Sequence, residues 1–163
     1  MALERIISGI IKPLVIRTDK DSHFTGALTQ NAIEAENITG ILTNSGTIVG
    51  VNLQSDQNLD WDIYFWAKDE LDNTDLDLDE CLGKVRFVAS DGDQIAGAGQ
   101  YYYDSATSSY AFRGIRYVDL DNTTELHVGL VNRNSTAKNA GATGEVVIRV
   151  ILESDVTVND LDN

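Results

Sequence analysis

The chain has 163 residues, the length of one domain and enough to bury a core. Its 26 acidic against 12 basic residues give a formal net charge of −14. That balance argues against binding nucleic acid, which needs Lys and Arg at the phosphates, and against anionic membranes.

Hydrophobic content is 42%, ordinary for a globular chain. Asp outnumbers Glu 18 to 8, which suits turns between short strands better than helices. The apolar stretches at 6–11 and 13–16 are broken by Ser8, Gly9 and Lys12 and are too short to span a bilayer. Glu4 and Arg5 precede them, and no signal-peptide pattern follows, so the expectation is a soluble protein made in a cytoplasm. Cys81 is the one cysteine, so no intrachain disulfide forms; beside Leu78 and Leu82 it reads as a small buried side chain.

Residues 1–17 read as an N-terminal arm or edge strand, with Pro13 at the joint between two apolar patches. Residues 18–153 read as one β-sandwich domain, and 154–163 as an acidic tail that frays. Within the domain, 18–44 is polar and mixed and reads as a long loop or β-excursion. A strand is expected over 46–53, where Ile48, Val49, Val51 and Leu53 are apolar. A second follows over 61–67, and the pair is expected to form a hairpin. Along it Trp61, Ile63, Phe65 and Ala67 share one face, while Asp60, Asp62, Tyr64, Trp66 and Lys68 share the other. The first set reads as core; Tyr64 and Trp66 read as candidates for subunit contact.

Residues 69–80 hold seven acids in twelve positions and read as a short capped helix ended by Gly83. Further strands are expected over 84–89, 95–103, 110–118, 126–132 and 144–153. Turns fall at 90–94, with Asp91-Gly92, and at 104–109 and 119–125; a Gly/Asn/Ser loop falls at 133–143. The sum is an all-β chain: an antiparallel β-sandwich or jelly roll of about eight strands, with one short helix and an extended arm.

The chemistry-bearing residues do not assemble into a motif. Asp75, Asp77 and Asp79 have the first spacings of a calcium loop, but its sixth position is Glu80 rather than Gly and its twelfth is Arg86 rather than Glu. Asp119 and Asp121 fail the same way. His23 and His127 are isolated and read as surface or interface residues, not zinc ligands. No nucleophile elbow and no phosphate cradle is present. The expectation is no catalytic, cofactor-binding or metal residue. Trp61, Tyr64, Trp66 and Tyr101–Tyr103 are the aromatics from which a sugar platform would be built, although core packing explains them equally well.

The order of elements nonetheless resembles a known family. Asp62-Ile63-Tyr64-Phe65-Trp66 leads through an acidic segment to Leu82-Gly83-Lys84-Val85-Arg86-Phe87. Residues 117–132 follow, with Thr123-Thr124 and Leu126-His127-Val128-Gly129-Leu130-Val131, and 145–153 closes the pattern. Over roughly residues 40–153 this is similar to the decoration, or cement, proteins of tailed-bacteriophage capsids. The resemblance implies a jelly-roll-like domain without catalysis or cofactor. Such a domain binds the major capsid protein on the outside of the head, often as a homotrimer, and staples capsid subunits against internal DNA pressure. It places the protein on the virion surface after synthesis in the host cytoplasm, with no nucleic-acid or membrane partner. The alternative is a carbohydrate- or receptor-binding β-sandwich of a phage fibre or tail.

Overall fold

The structure is a computed structural model that describes residues 15–17, 22–24, 27–39, 44–68, 80–95, 99–120, 123, 125–135, 138–139 and 146–154. They form two antiparallel sheets packed as a sandwich. Thirteen strand segments are present among the described residues, more than the eight or so expected; eight of them have four residues or more.

The larger sheet runs β1 (Val15–Arg17), β13 (Val146–Ser154), β5 (Ser45–Ser55), β9 (Gln100–Asp104), β8 (Asp93–Ile95). β2 (Ser22–Phe24) also pairs with β13, and β10 (Ile115–Val118) with β5. The smaller sheet runs β4 (Ile33–Thr39), β11 (Glu125–Asn132), β6 (Trp61–Trp66), β7 (Cys81–Phe87). A third pairing joins β3 (Ala27–Leu28) to β12 (Lys138–Asn139).

Period-two alternation builds the core. In β10, Ile115 and Tyr117 are buried while Arg116 and Val118 are exposed. Val146, Ile148, Val150 and Leu152 of β13 enter the layer from one sheet in strict alternation, joined from β5 by Val51 and Leu53 and, across the register shift at Ile151/Leu152 that changes the parity, by Ile48. Trp61, Ile63 and Phe65 of β6, with Val85, Phe87, Leu126, Val128 and Leu130, meet them from the other, as expected for the odd positions of β6. Each such Leu, Ile or Phe contributes about 1.5–3 kcal/mol on burial.

Several local expectations are corrected. β5 and β6 are not a hairpin: residues 56–60 carry the chain from one sheet to the other. The crossing is held by Tyr103, whose hydroxyl accepts from the Leu59 N–H at 3.0 Å and donates toward Asn58 Oδ1 at 2.9 Å. Gly92 packs against this corner, where a Cβ would come within 2.9 Å of the Tyr103 ring. The region 18–44 contains β2, β3 and the full-length strand β4. Asn31, in the turn two residues before β4, is in the left-handed region at φ 62°, tolerated by Asn, and its N–H bonds to Asn132 O at 2.8 Å.

Of the strand expected over 95–103, β9 (Gln100–Asp104) is formed, preceded by Gly99 at φ 63°, and residues 96–98 lie outside the described residues; β8 (Asp93–Ile95) begins inside the turn expected at 90–94. The strand expected over 110–118 begins only at Ile115, after Gly114 at φ 82°. β7 starts at Cys81, three residues earlier than expected, and its register against β6 shifts between Phe65 and Trp66. The helix expected over 69–80 falls largely outside the described residues, as do the calcium-like spacing at Asp75, Asp77 and Asp79, Asp121 and the tail beyond Ser154. One 3-10 turn, Ala89–Asp91, is described.

Candidate functional site

The even positions of β6 face away from the sandwich core, yet they are not a wet surface. Asp62 is fully buried there. Register explains its surroundings: Asp62 sits opposite Arg86 on β7 and opposite Val131 on β11. Lys84, two residues before Arg86, projects from the same face. Arg133 leaves the end of β11 and folds back.

Arg133 Nε donates to Asp62 Oδ2 at 2.8 Å, and Lys84 Nζ lies 3.4 Å from the same oxygen. Arg86 Nε is 2.8 Å from Asp62 Oδ1 as an ion pair, outside hydrogen-bond alignment. Arg133 also donates to Asn31 Oδ1 at 2.7 Å and to the Tyr64 hydroxyl at 2.8 Å. Burial lowers the basicity of the Arg133 guanidinium, but the hydrogen bond and charge of Asp62 outweigh it, so its pKa stands above the ordinary value.

Aromatic rings flank the charges. Lys84 Nζ lies 5.5 Å from the Tyr64 ring centre and the Arg86 guanidinium 5.7 Å from that of Tyr110, both within cation–π range. Tyr110 is 49% exposed. The Ser108 hydroxyl lies 3.0 Å from Asp91 Oδ2 and 3.2 Å from the Arg86 carbonyl oxygen, with its one proton to give to either, which ties the loop carrying Tyr110 to β7.

The other end of the face is apolar. Tyr64 stacks on Trp66 with ring centres 5.6 Å apart, and Trp66, 3% exposed, packs with Ile33, Val131 and half-buried Cys81. Gly129 makes the space: a Cβ there would come within 2.7 Å of the Trp66 ring and 2.5 Å of Ile33. His127 lies opposite Trp66 and is fully buried, which corrects its reading as a surface or interface residue; its Nδ1 is 2.9 Å from Asn37 Oδ1. His127 occupies an inner strand of the sheet, between β4 and β6, where flanking side chains cover it.

The aromatics are therefore not one platform. Trp61 and Tyr103 are buried in the core, with Phe87 5.6 Å from Tyr103, whereas Tyr64 and Trp66 lie on the opposite side of the smaller sheet. Among the described residues no group of three or more His, Cys, Asp or Glu is placed to hold a metal ion. No described helix is long and apolar enough to cross a membrane.

The cationic cluster escaped sequence reasoning. Its signal was present: Asp62 and Tyr64 alternate on one strand, and Lys84 and Arg86 on another. Only the register between β6 and β7, with the return of Arg133, joins them. Chemically the cluster offers positive charge beside aromatic surface, held rigid by one carboxylate. That suits recognition of anionic groups. No family model, curated protein or solved structure matches this chain.

Proposed function

We propose that this is a non-catalytic virion structural protein, a capsid decoration or cement protein of a tailed bacteriophage that binds the outer head surface. The observation that carries the reading is the outer face of the smaller sheet. Its side chains are fixed for contact, with Asp62 holding Lys84, Arg86 and Arg133 between two tyrosines. The resemblance in element order over residues 40–153 supports the same reading. So does the net charge of −14, which favours a position away from packaged DNA. In this role the sandwich supplies a rigid body, the face supplies docking contacts to the major capsid protein, and many weak contacts add up by multivalency over the shell. A homotrimer belongs to the same proposal.

The competing reading, a sugar-binding fibre or tail module, calls for Tyr64 and Trp66 to present a flat exposed face. Trp66 is buried, so its ring is not available for one. The deciding experiment is to mix purified protein with expanded capsids that lack it and determine the particle structure. Ordered copies in icosahedral positions on the outer shell are expected. Failure to co-sediment with such capsids, or a location on the tail, would overturn the proposal.

A further inference from the structure

We infer that the face formed by Lys84, Arg86 and Arg133 docks an extended acidic segment of a partner protein, one with carboxylates at alternate positions. This goes beyond the capsid reading and stands without it, because it concerns what the face recognises rather than where the protein resides.

Three observations carry the inference. The first is charge. Among the described residues the one carboxylate that these three cations meet is Asp62, which leaves a local excess of two positive charges on a chain of net −14. The second is reach. The side chains of Lys84, Arg86 and Arg133 are 48%, 35% and 25% exposed, so the cations are seated on Asp62 and still open to an incoming group. The third is spacing. Lys84 and Arg86 are alternate residues of β7, the outermost strand of the smaller sheet among the described residues, and their side chains leave the same face about 7 Å apart. An extended partner places its alternate carboxylates at that same repeat.

Preorganisation adds to the fit. Asp62, Asn31 and the Tyr64 hydroxyl already fix the Arg133 guanidinium, so little rotamer freedom remains to be lost on binding. Tyr64 and Tyr110 supply apolar surface beside the charges for the partner's intervening side chains. A dense polyanion fits less well. The acidic body repels it over the Debye length of about 8 Å at physiological salt, whereas two carboxylates touch only the patch.

The test is fluorescence anisotropy with a labelled ten-residue peptide alternating Asp and Thr, and its counterpart alternating Asn and Thr. The intact protein is expected to bind the Asp peptide about tenfold or more tighter than the Asn peptide, with affinity falling as salt rises. Lys84→Glu is expected to weaken the Asp peptide by about tenfold or more. Arg116→Glu, on the outer side of the larger sheet, is expected to leave binding unchanged. Should Lys84→Glu fail to fold, Lys84→Gln at the same half-exposed position is read instead and is expected to give a smaller loss in the same direction. Equal binding of the two peptides, no binding of either, or wild-type affinity in the folded Lys84 variant would overturn the inference. So would tighter capture of a sulfated polysaccharide or a single-stranded oligonucleotide at this face. Self-association abolished by Lys84→Glu, without peptide binding, would assign the face to a second copy of the chain and overturn it likewise.

Discussion

The two faces of the smaller sheet bury side chains by different physics. On the inner face Trp61, Ile63 and Phe65 pack against residues of both sheets, and burial of apolar area stabilises them without direction. On the outer face of the same strand, Asp62 is equally buried but sits against three cationic side chains. Its desolvation is offset only while those partners remain in place. The inner face tolerates any apolar side chain of the right volume; the outer face requires particular partners at particular positions. The first arrangement makes a fold, and the second makes a surface that can discriminate.

The largest expected effect breaks the inner face. Phe65→Ala removes a fully buried ring and leaves a cavity, with an expected loss of about 3–5 kcal/mol in urea unfolding. A loss near 1 kcal/mol would mean that the inter-sheet layer is loosely packed. Next comes the outer face. Asp62→Ala leaves the Arg133 and Arg86 guanidinium groups without their counter-ion, and is expected to cost about 2 kcal/mol, below the full buried-pair value because the cations are partly solvated. The same variant is expected to become less sensitive to added salt than the wild type. An unchanged urea midpoint would show that Asp62 is not what organises the cluster.

The alternation of Trp61, Ile63 and Phe65 announced an apolar inner face, and the β-sandwich class followed from short strands and regular turn signals. The partners of Asp62 were not legible, because Arg86 lies 24 positions away and Arg133 lies 71 away (86 − 62 and 133 − 62). Their meeting depends on the sheet order β11-β6-β7, which no local pattern encodes. The 46–53 and 61–67 segments looked like a hairpin since both are strands with a short polar link. What separates them is the Tyr103 hydroxyl holding Asn58 and Leu59, a contact made 44 residues downstream of Leu59. His127 was misplaced for a related reason: a polar residue on a strand's outer side reads as solvated until flanking strands cover it.

A smaller effect sharpens the outer face further. Gly129→Ala pushes a methyl group into the Trp66 ring and Ile33, at an expected cost of about 1–3 kcal/mol, with a shift in tryptophan emission as the indole moves. No emission change would mean that the ring is not seated over β11. The smallest effect is confined to alkaline solution. Burial raises the Tyr103 phenol from 10.0 to about 12. Below pH 10 the phenol is neutral in both folded and unfolded chains and stability is unaffected. Between pH 10 and about 12 the unfolded chain releases the proton and the folded one retains it, so stability falls. Tyr103→Phe is expected to remove that part of the alkaline loss; an identical pH profile in the variant would assign it to other groups.

The outer face of the smaller sheet is the docking surface inferred for an acidic partner. Amide chemical-shift mapping during titration with the Asp–Thr peptide tests it most directly. Shifts are expected to concentrate at Asp62, Tyr64, Lys84, Arg86, Tyr110 and Arg133, with the strands of the larger sheet unmoved. Shifts centred instead on the exposed apolar residues Val49, Val118 and Leu120, or spread evenly over the molecule, would contradict it.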